Sequence, residues 1–233
     1  AFRRDSLVID THIDVPYRIA KHGTELSVRQ PVEEAPKFEG THGPLPQEVV
    51  KRVTNSSWRD DCPLPLDRLT YMKVKHWGYD HSVHDGELIV DKEVAAELLE
   101  IFNELFDAEF PIEKMRLVDD YGASDVESMS DNNTSAFNCR WIHGKKNVFS
   151  MHSYGRAIDI NPRTNPYVSK HEVVPASGAR FVERTNSVTG IIVANDACHQ
   201  AFTERGWDWG GSWKSIKDYQ HFEKRKKKPK KSK

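Results

Sequence analysis

The segment SMHSYGRAIDINP, residues 150–162, contains the residues that decide both the fold and the chemistry of this chain. His152 precedes Asp159 by seven positions, and residues seven apart on a straight strand face opposite sides. Gly155 lies between them, and glycine permits the sharp bend that would bring both side chains to one point. A converging histidine and carboxylate are typical of a metal site, although a capping histidine and a turn aspartate would give the same letters.

A second segment, DYQHFE at residues 218–223, would complete such a site. With His221 as third ligand, two histidine nitrogens and one carboxylate oxygen leave a fourth position open for water, which is typical of a catalytic zinc. Zinc in such a site lowers the pKa of bound water to about 7 and polarises a carbonyl. Asp218 is then the candidate general base. Because residues three apart on a strand face opposite sides, we expect Asp218 in a turn before the strand that carries His221.

Together, the strings S-x-H-x-x-G-x-A-x-D and D-x-x-H-F-E resemble the D-alanyl-D-alanine carboxypeptidase-like zinc peptidases. That family includes phage endolysins that cleave L-alanyl-D-glutamate bonds. The segments SAFNCR (135–140) and RGWDWGGSW (205–213) are similar to the endolysin-like branch, so the resemblance covers roughly residues 62–223. It implies an α+β fold, in which a small antiparallel sheet has helices to one side.

The resemblance also implies the roles of individual residues. The implied zinc ligands are His152, Asp159 and His221. Asp218 would take a proton from the attacking water and pass it to the leaving amine, while Arg140 would steady the scissile carbonyl or a substrate carboxylate. The candidates for contact with substrate are Ser150, Tyr154 and Trp209. Trp209 could equally belong to the core with its neighbours Trp207 and Trp213, since aromatic side chains are more often buried.

The pattern of apolar residues agrees with an α+β chain without a strict βαβ order. Residues 70–80 alternate and, with 86–90, predict a hairpin. Residues 91–106 carry apolar side chains at helical spacing behind Asp91, a suitable N-cap. The other predicted segments are strands at 114–119 and 157–162, a polar loop at 120–135 and a helix at 196–206.

We expect three parts in the chain. Residues 1–61 would be an irregular N-terminal extension, because the four prolines within 30–60 are typical of loop or linker. Residues 62–223 would be the catalytic domain. Residues 224–233, KRKKKPKKSK, carry eight Lys or Arg and leave the rest of the chain at −9. This tail would be disordered, and it would either be merely solvated or contact a polyanion such as nucleic acid, an anionic membrane or teichoic acid.

The extension also contains VIDTHIDVPYRI, residues 8–19, which resembles the opening of the membrane dipeptidases. In that family the equivalent of His12 and Asp14 forms a metal pair. A barrel of that type needs about 250 residues. Too little chain remains beside residues 62–223, so we interpret the stretch as a fragment, a chance match or a packed strand.

Three cysteines, Cys62, Cys139 and Cys198, contain no Cys-x-x-Cys pair, which excludes a zinc ribbon. One disulfide with one free thiol fits an exported protein, and three thiols fit a cytoplasmic one. For an exported chain we predict a Cys62–Cys139 bridge, which would brace Arg140. No apolar run approaches the ~18–20 residues that cross a bilayer, and no signal peptide is recognisable.

Three functions compete. A zinc peptidase would cut peptidoglycan stem peptides at L-Ala–D-Glu or D-Ala–D-Ala, as a secreted or wall-associated monomer. A zinc-bound binding module of the hedgehog type, which is similar to the same family, would need neither base nor arginine, so the presence of Asp218 and Arg140 favours catalysis. A nucleic-acid-binding protein would rest on the basic tail alone, without a base-reading module.

Overall fold

The structure is a computed structural model that describes residues 35–142, 145, 147–184 and 188–226. The chain divides into two compact units, Ala1–Ala35 and Pro36–Lys233, and the described residues belong almost entirely to the second. The dipeptidase-like segment 8–19 and residues 227–233 of the basic tail lie outside the described residues. No helix in the described part of the chain combines the length and apolar character that a membrane crossing requires.

The described unit is α+β, as predicted, with small sheets and few helices. Its strands are β1 (Gly40–Gly43), β2 (Leu69–Trp77), β3 (Val83–Asp91), β4 (Lys114–Met115), β5 (Asn133–Thr134), β6 (Ala157–Asp159), β7 (Tyr167–Val168), β8 (Val173–Val174), β9 (Asp208–Trp209), β10 (Lys217–Asp218) and β11 (His221–Glu223). Its helices are α1 (Gln47–Val53), α2 (Lys92–Asp107), α3 (Asp125–Ser130) and α4 (Ala197–Thr203).

The predicted hairpin and helix form the body of the fold. Strands β2 and β3 pair antiparallel, and β1 adds to the edge of β2. Helix α2 begins where predicted, because the Asp91 side chain accepts a hydrogen bond from the Glu93 amide at 3.3 Å. Its apolar face is buried against the sheet, and the residues of that face include Val94, Leu98, Ile101 and Leu105. Burial of this face holds the helix, since an isolated helix of this length is marginal in water.

Two segments predicted as loop are ordered. Within 30–60 the structure has β1 and α1, and α1 buries Val49 and Val53 in a cluster with Ile89 and Phe137. Pro44 directly follows β1 and Pro46 is the N-cap of α1, so these two prolines mark element boundaries and not a linker. Within 120–135 lies α3, whose N-cap Ser124 accepts from the Glu127 amide at 3.3 Å. The S-x-x-E spacing is a capping signal that could have predicted it.

A three-stranded sheet in the order β6-β11-β9 positions the candidate site. The β6–β11 register places His221 opposite Asp159, with Phe222 opposite Ile158. Phe222 and Ile158 are fully buried in the main core. Because neighbouring strand residues point to opposite faces, anchoring these two apolar side chains turns His221 and Asp159 to the other face together.

Cys62 and Cys139 form a disulfide with a Cα–Cα separation of 5.9 Å, as predicted for an exported chain. The bridge joins the segment after α1 to the residue before Arg140. Arg59 reinforces the connection by donating to the Cys139 carbonyl at 2.9 Å. Cys198 is a free, buried thiol in the main core.

Candidate metal centre

Three buried side chains predicted as ligands converge in the structure. His221 Nδ1 lies 2.9 Å from Asp159 Oδ1, and His152 Nε2 lies 3.1 Å from Asp159 Oδ2. The two histidine nitrogens are 3.3 Å apart. In a tetrahedral zinc site with bonds of 2.0–2.1 Å, ligand atoms stand about 3.3–3.4 Å from one another. The two nitrogens stand at that edge length, and each lies slightly closer than that to a different oxygen of Asp159, so each of the three residues can offer one donor atom to a site of zinc size.

The bend that brings His152 to Asp159 depends on Gly155, as predicted. His152 lies in a 3₁₀ helix, Met151–Tyr154, and Gly155 closes it with φ of +59°. A Cβ on Gly155 would lie 2.4 Å from the Asp91 amide nitrogen, which donates to the Gly155 carbonyl at 2.9 Å. Both the positive φ and this close backbone contact require glycine.

Each candidate histidine ligand is held from behind by an oxygen. His152 Nδ1 lies 2.5 Å from the Ala136 carbonyl, so Nδ1–H donates there and Nε2 faces the centre. His221 Nε2 lies 3.2 Å from Glu223 Oε2, which leaves Nδ1 facing the centre. Arg225 donates to the other Glu223 oxygen at 2.6 Å. Such outer partners fix the tautomer and ring orientation of metal-binding histidines.

Sequence reasoning missed Glu223, although a signal for it exists. On a strand, residues two apart share a face, so the H-F-E letters place Glu223 beside His221 once the segment is known to be a strand. The Glu223 side chain is buried, and its contacts with His221 and Arg225 hold its pKa below the usual range against the opposing effect of burial.

The charges of the centre suit a cation. Burial raises the pKa of Asp159, but His152 and His221 outweigh this and hold it below its usual range. Burial lowers the pKa of His221, but the carboxylates of Asp159 and Glu223 raise it to about 10. The site therefore attracts positive charge to the position between His152, Asp159 and His221. A proton and a metal ion would compete for the same donor atoms.

Asp218 lies before the strand of His221, as predicted, but not in a turn. It belongs to β10, which pairs with β7, and residues 219 and 220 separate it from β11. Burial raises the pKa of Asp218 to about 6, with Asp159 adding to the rise and His221 opposing it. Its Oδ1 is buried and has no hydrogen-bond partner among the described residues. A carboxylate with one buried, unpartnered oxygen and a raised pKa is typical of a general base.

Close packing holds Asp218 at this position. A Cβ on Gly210 would lie 2.5 Å from the Asp218 carbonyl oxygen and 2.8 Å from its Cβ. Gly210 opens the short 3₁₀ helix Gly210–Ser212 directly after β9. Only glycine permits this approach, so the W-G-G letters of the sequence position Asp218 next to the strand that pairs with β11.

Comparison with known proteins supports the family. Residues 143–224 match a protein-family model described as D-alanyl-D-alanine carboxypeptidase. The predicted family is confirmed over this range. The match contains His152, Asp159, Asp218 and His221, and it supports a peptidase. No curated protein and no solved structure matches the chain.

Arg140 lies just before the peptidase match, and the structure places it in two roles at once. Its amide donates to Ser153 Oγ at 2.9 Å, and its carbonyl accepts from the Ser150 amide at 3.0 Å, which ties it to the turn that carries His152. Its guanidinium forms an ion pair with Asp125 at the start of α3. The side chain is 35% exposed, so part of it remains in contact with solvent.

The three residues predicted to contact substrate have different surroundings. Ser150 is buried, and its hydroxyl accepts from the His152 amide at 3.3 Å as a helix cap. Tyr154 is partly buried at the end of the same turn. Trp209 belongs to the main core, where its indole donates to the Tyr219 carbonyl at 2.9 Å, which favours the core alternative over substrate contact.

A different tryptophan, Trp213, lies beside the candidate ligand His221. The Trp213 ring is 5.6 Å from the His221 ring, centroid to centroid, and Trp213 is only partly buried. Of the three tryptophans in 205–213, Trp213 therefore lies in the position of a site wall, while Trp207 and Trp209 are buried in the core. The spacing of the three in sequence could not distinguish them.

Proposed function

We propose that this chain is a zinc peptidase that hydrolyses stem peptides of bacterial peptidoglycan, with His152, Asp159 and His221 as metal ligands. The observation that carries the proposal is a pair of histidine nitrogens 3.3 Å apart, each 2.9–3.1 Å from an oxygen of Asp159, next to a carboxylate whose Oδ1 has no partner in the described part of the chain. The family match supports the peptidase class. Zinc fits the donor set because it prefers nitrogen and oxygen ligands and, in catalytic sites, three of them from protein.

The proposed chemistry divides between the ion and the chain. When bound, zinc would activate water and polarise the scissile carbonyl. Asp218 would accept a proton from the attacking water at its unpartnered Oδ1 and would later donate it to the leaving amine. A pKa of about 6 suits both steps, since at neutral pH the carboxylate is mostly ionised yet readily protonated. Arg140 would steady the developing negative charge or a substrate carboxylate.

The outer contacts serve this chemistry by fixing the ligands. The Ala136 carbonyl and the Glu223 carboxylate each bind the nitrogen that faces away from the centre. Both rings are therefore oriented before metal arrives, which reduces the ordering that binding would otherwise require.

We also propose the wider arrangement predicted from sequence: a catalytic region at 62–223 in a secreted or wall-associated monomer. The segment with β1 and α1 packs against that region and would belong to the same folding unit. The first residues of the basic tail contact α2, because Lys224 pairs with Glu97 at 2.6 Å and Lys226 with Glu93 at 3.0 Å. Because Lys224 and Lys226 are already paired with carboxylates of α2, we propose polyanion contact for the basic residues after 226.

Digestion of purified peptidoglycan, followed by mass analysis of the products, tests the function. New amino termini on D-Glu would identify an L-Ala–D-Glu endopeptidase, and release of free D-Ala would identify a carboxypeptidase. Elemental analysis of the purified protein should find one zinc per chain. Zinc without turnover on any stem peptide would instead support the non-catalytic, hedgehog-like alternative.

A further inference from the structure

We propose that three side chains in one row, Asp218, Tyr167 and Val174, bind the residue whose amine is released when the peptide bond is cut. We call them the leaving-residue row. The inference rests on the proposed function, in which Asp218 donates a proton to the leaving amine, and it adds the side chains that would contact the residue carrying that amine. The row crosses the three-stranded sheet with the order β10-β7-β8, and each strand contributes one member.

The register of this sheet places the three residues side by side. β10 pairs with β7 so that Asp218 lies opposite Tyr167, and β7 pairs with β8 so that Tyr167 lies opposite Val174. Both pairings are antiparallel. Residues directly opposite each other on antiparallel strands share a face of the sheet, with Cβ atoms about 4.5–5.5 Å apart. The three side chains therefore form one continuous row about 10 Å long.

Asp218 brings one end of this row to the candidate metal centre, because its carboxylate interacts electrostatically with His221 and Asp159. The other two members continue from Asp218 across the sheet. In the proposed mechanism the leaving nitrogen must reach Asp218 to receive its proton. The residue attached to that nitrogen is then next to Tyr167, the neighbour of Asp218 in the row.

The row offers a surface suited to a small, partly apolar residue. All three side chains are partly buried, so each keeps some surface in contact with solvent. Tyr167 contributes an aromatic ring, which provides a large contact area with few rotatable bonds, and Val174 contributes an aliphatic group. Because Tyr167 lies between two neighbouring strands, its ring is restricted before binding and loses little entropy on contact.

The charges around Tyr167 indicate that the ring makes the contact and that an ion pair does not. Burial and the carboxylates of Asp218 and Glu172 raise the pKa of Tyr167, so its phenol stays neutral. The same two carboxylates disfavour an anion at the ring. The row therefore fits the aliphatic part of the released residue, which is the methyl group of D-Ala or the methylene groups of D-Glu, with its carboxyl group turned away.

The test uses substrates that differ on only one side of the scissile bond. The first pair shares the acyl part and releases either the natural residue of the stem peptide or glycine. The second pair shares the released residue and carries either the natural residue or glycine on the acyl side. For Tyr167→Ala we expect the kcat/KM ratio of the natural to the glycine substrate to fall about tenfold in the first pair and to stay unchanged in the second. Tyr167→Phe keeps the ring and should keep both ratios.

Val168→Ala is the matched control. Val168 follows Tyr167 on β7, so its side chain points to the opposite face of the sheet, and it is likewise partly buried. Both ratios should match those of the unaltered chain in this variant. An equal fall of both ratios in Tyr167→Ala would show general damage to the site and would overturn a contact specific to the released residue.

A binding measurement keeps the test independent of turnover. The probes are free D-Ala and the peptide γ-D-Glu-L-Lys-D-Ala-D-Ala, the amine fragments of the two candidate bonds. Calorimetry should show that Tyr167→Ala binds the fragment of the bond that is cut about tenfold more weakly than the unaltered chain does. If the unaltered chain hydrolyses no stem peptide, the proposed function fails, and these titrations alone decide on the row. An unchanged ratio in the first pair would overturn the proposal. Without turnover, equal affinity in Tyr167→Ala, or no binding of either fragment, would overturn it.

Discussion

His221 and Glu223 lie on the same face of β11, and their side chains meet with 3.2 Å between Nε2 and Oε2. The contact leaves Nδ1 of His221 for the metal centre, where Asp159 lies 2.9 Å away. Glu223, which lies outside the proposed ligand set, thus determines which nitrogen of His221 faces the proposed metal centre. The same arrangement explains why the pKa of His221 is raised to about 10 despite burial, which by itself lowers it.

Removing the Glu223 carboxylate should weaken zinc binding. We expect Glu223→Ala to lower zinc affinity about 10- to 100-fold, because the His221 ring loses its anchor and its tautomer preference. Glu223→Gln retains an acceptor for His221 Nε2–H and should lose less. Competition with a chelator of known affinity measures this, with exposed Glu204→Gln as the control. Equal affinity in Glu223→Ala and the unaltered chain would show that the contact does not position the ligand.

Substitutions at Asp218 and His221 should have different effects on metal binding and on catalysis, although the two residues are only three positions apart. His221→Ala should lower zinc content and turnover together. Asp218→Asn should keep zinc and fold but lose about 10²–10⁴-fold in rate, the usual loss when a general base is removed. Zinc content and turnover measured on both variants decide the roles. If Asp218→Asn binds zinc more weakly but retains most of its rate at saturating zinc, Asp218 orients a ligand and is not the base.

The pH profile should report the ionisation of Asp218. Its pKa is raised to about 6 by burial, and the base works only when ionised, so kcat/KM should fall as the pH drops through that pKa. The charge of bound zinc favours the carboxylate, so we expect the acid limb at or below about pH 6. Asp218→Asn should remove this limb from its residual activity. An unchanged acid limb in that variant would assign it to another group.

The disulfide should contribute strongly to stability. Cys62 and Cys139 are 77 residues apart, and closing a loop of this length stabilises by about 4–5 kcal/mol in the chain-entropy model. Cys62→Ser should therefore lower the free energy of unfolding by several kcal/mol in urea titrations. Dithiothreitol should destabilise the unaltered chain and have little further effect on Cys62→Ser. Equal stability with and without reductant would argue that the two thiols are not bridged in solution.

Part of this molecule could be predicted from the sequence because the signals are local. Helix α2 follows from apolar side chains at helical spacing and the Asp91 cap, and the β2–β3 hairpin follows from alternation. The family resemblance likewise rests on letters at fixed spacing around His152 and His221, and the matched range 143–224 contains both. The role of Gly155 can also be predicted from sequence, because a bend between two converging residues needs a residue that tolerates positive φ.

Other features depend on residues far apart in the chain, and only the tertiary structure decided them. Pairing of β11 with β6 determines that His221 stands opposite Asp159, 62 positions away. The contact of Arg140 with Asp125 and the position of Trp213 beside His221, with Trp209 in the core, likewise depend on tertiary packing. Composition and spacing specify which side chains lie within a few positions of one another along the chain. The burial of apolar side chains determines which distant group each polar group meets. Burial of Phe222 and Ile158, for example, sets the register of their strands, and the register decides which face of the sheet the neighbouring polar side chains occupy.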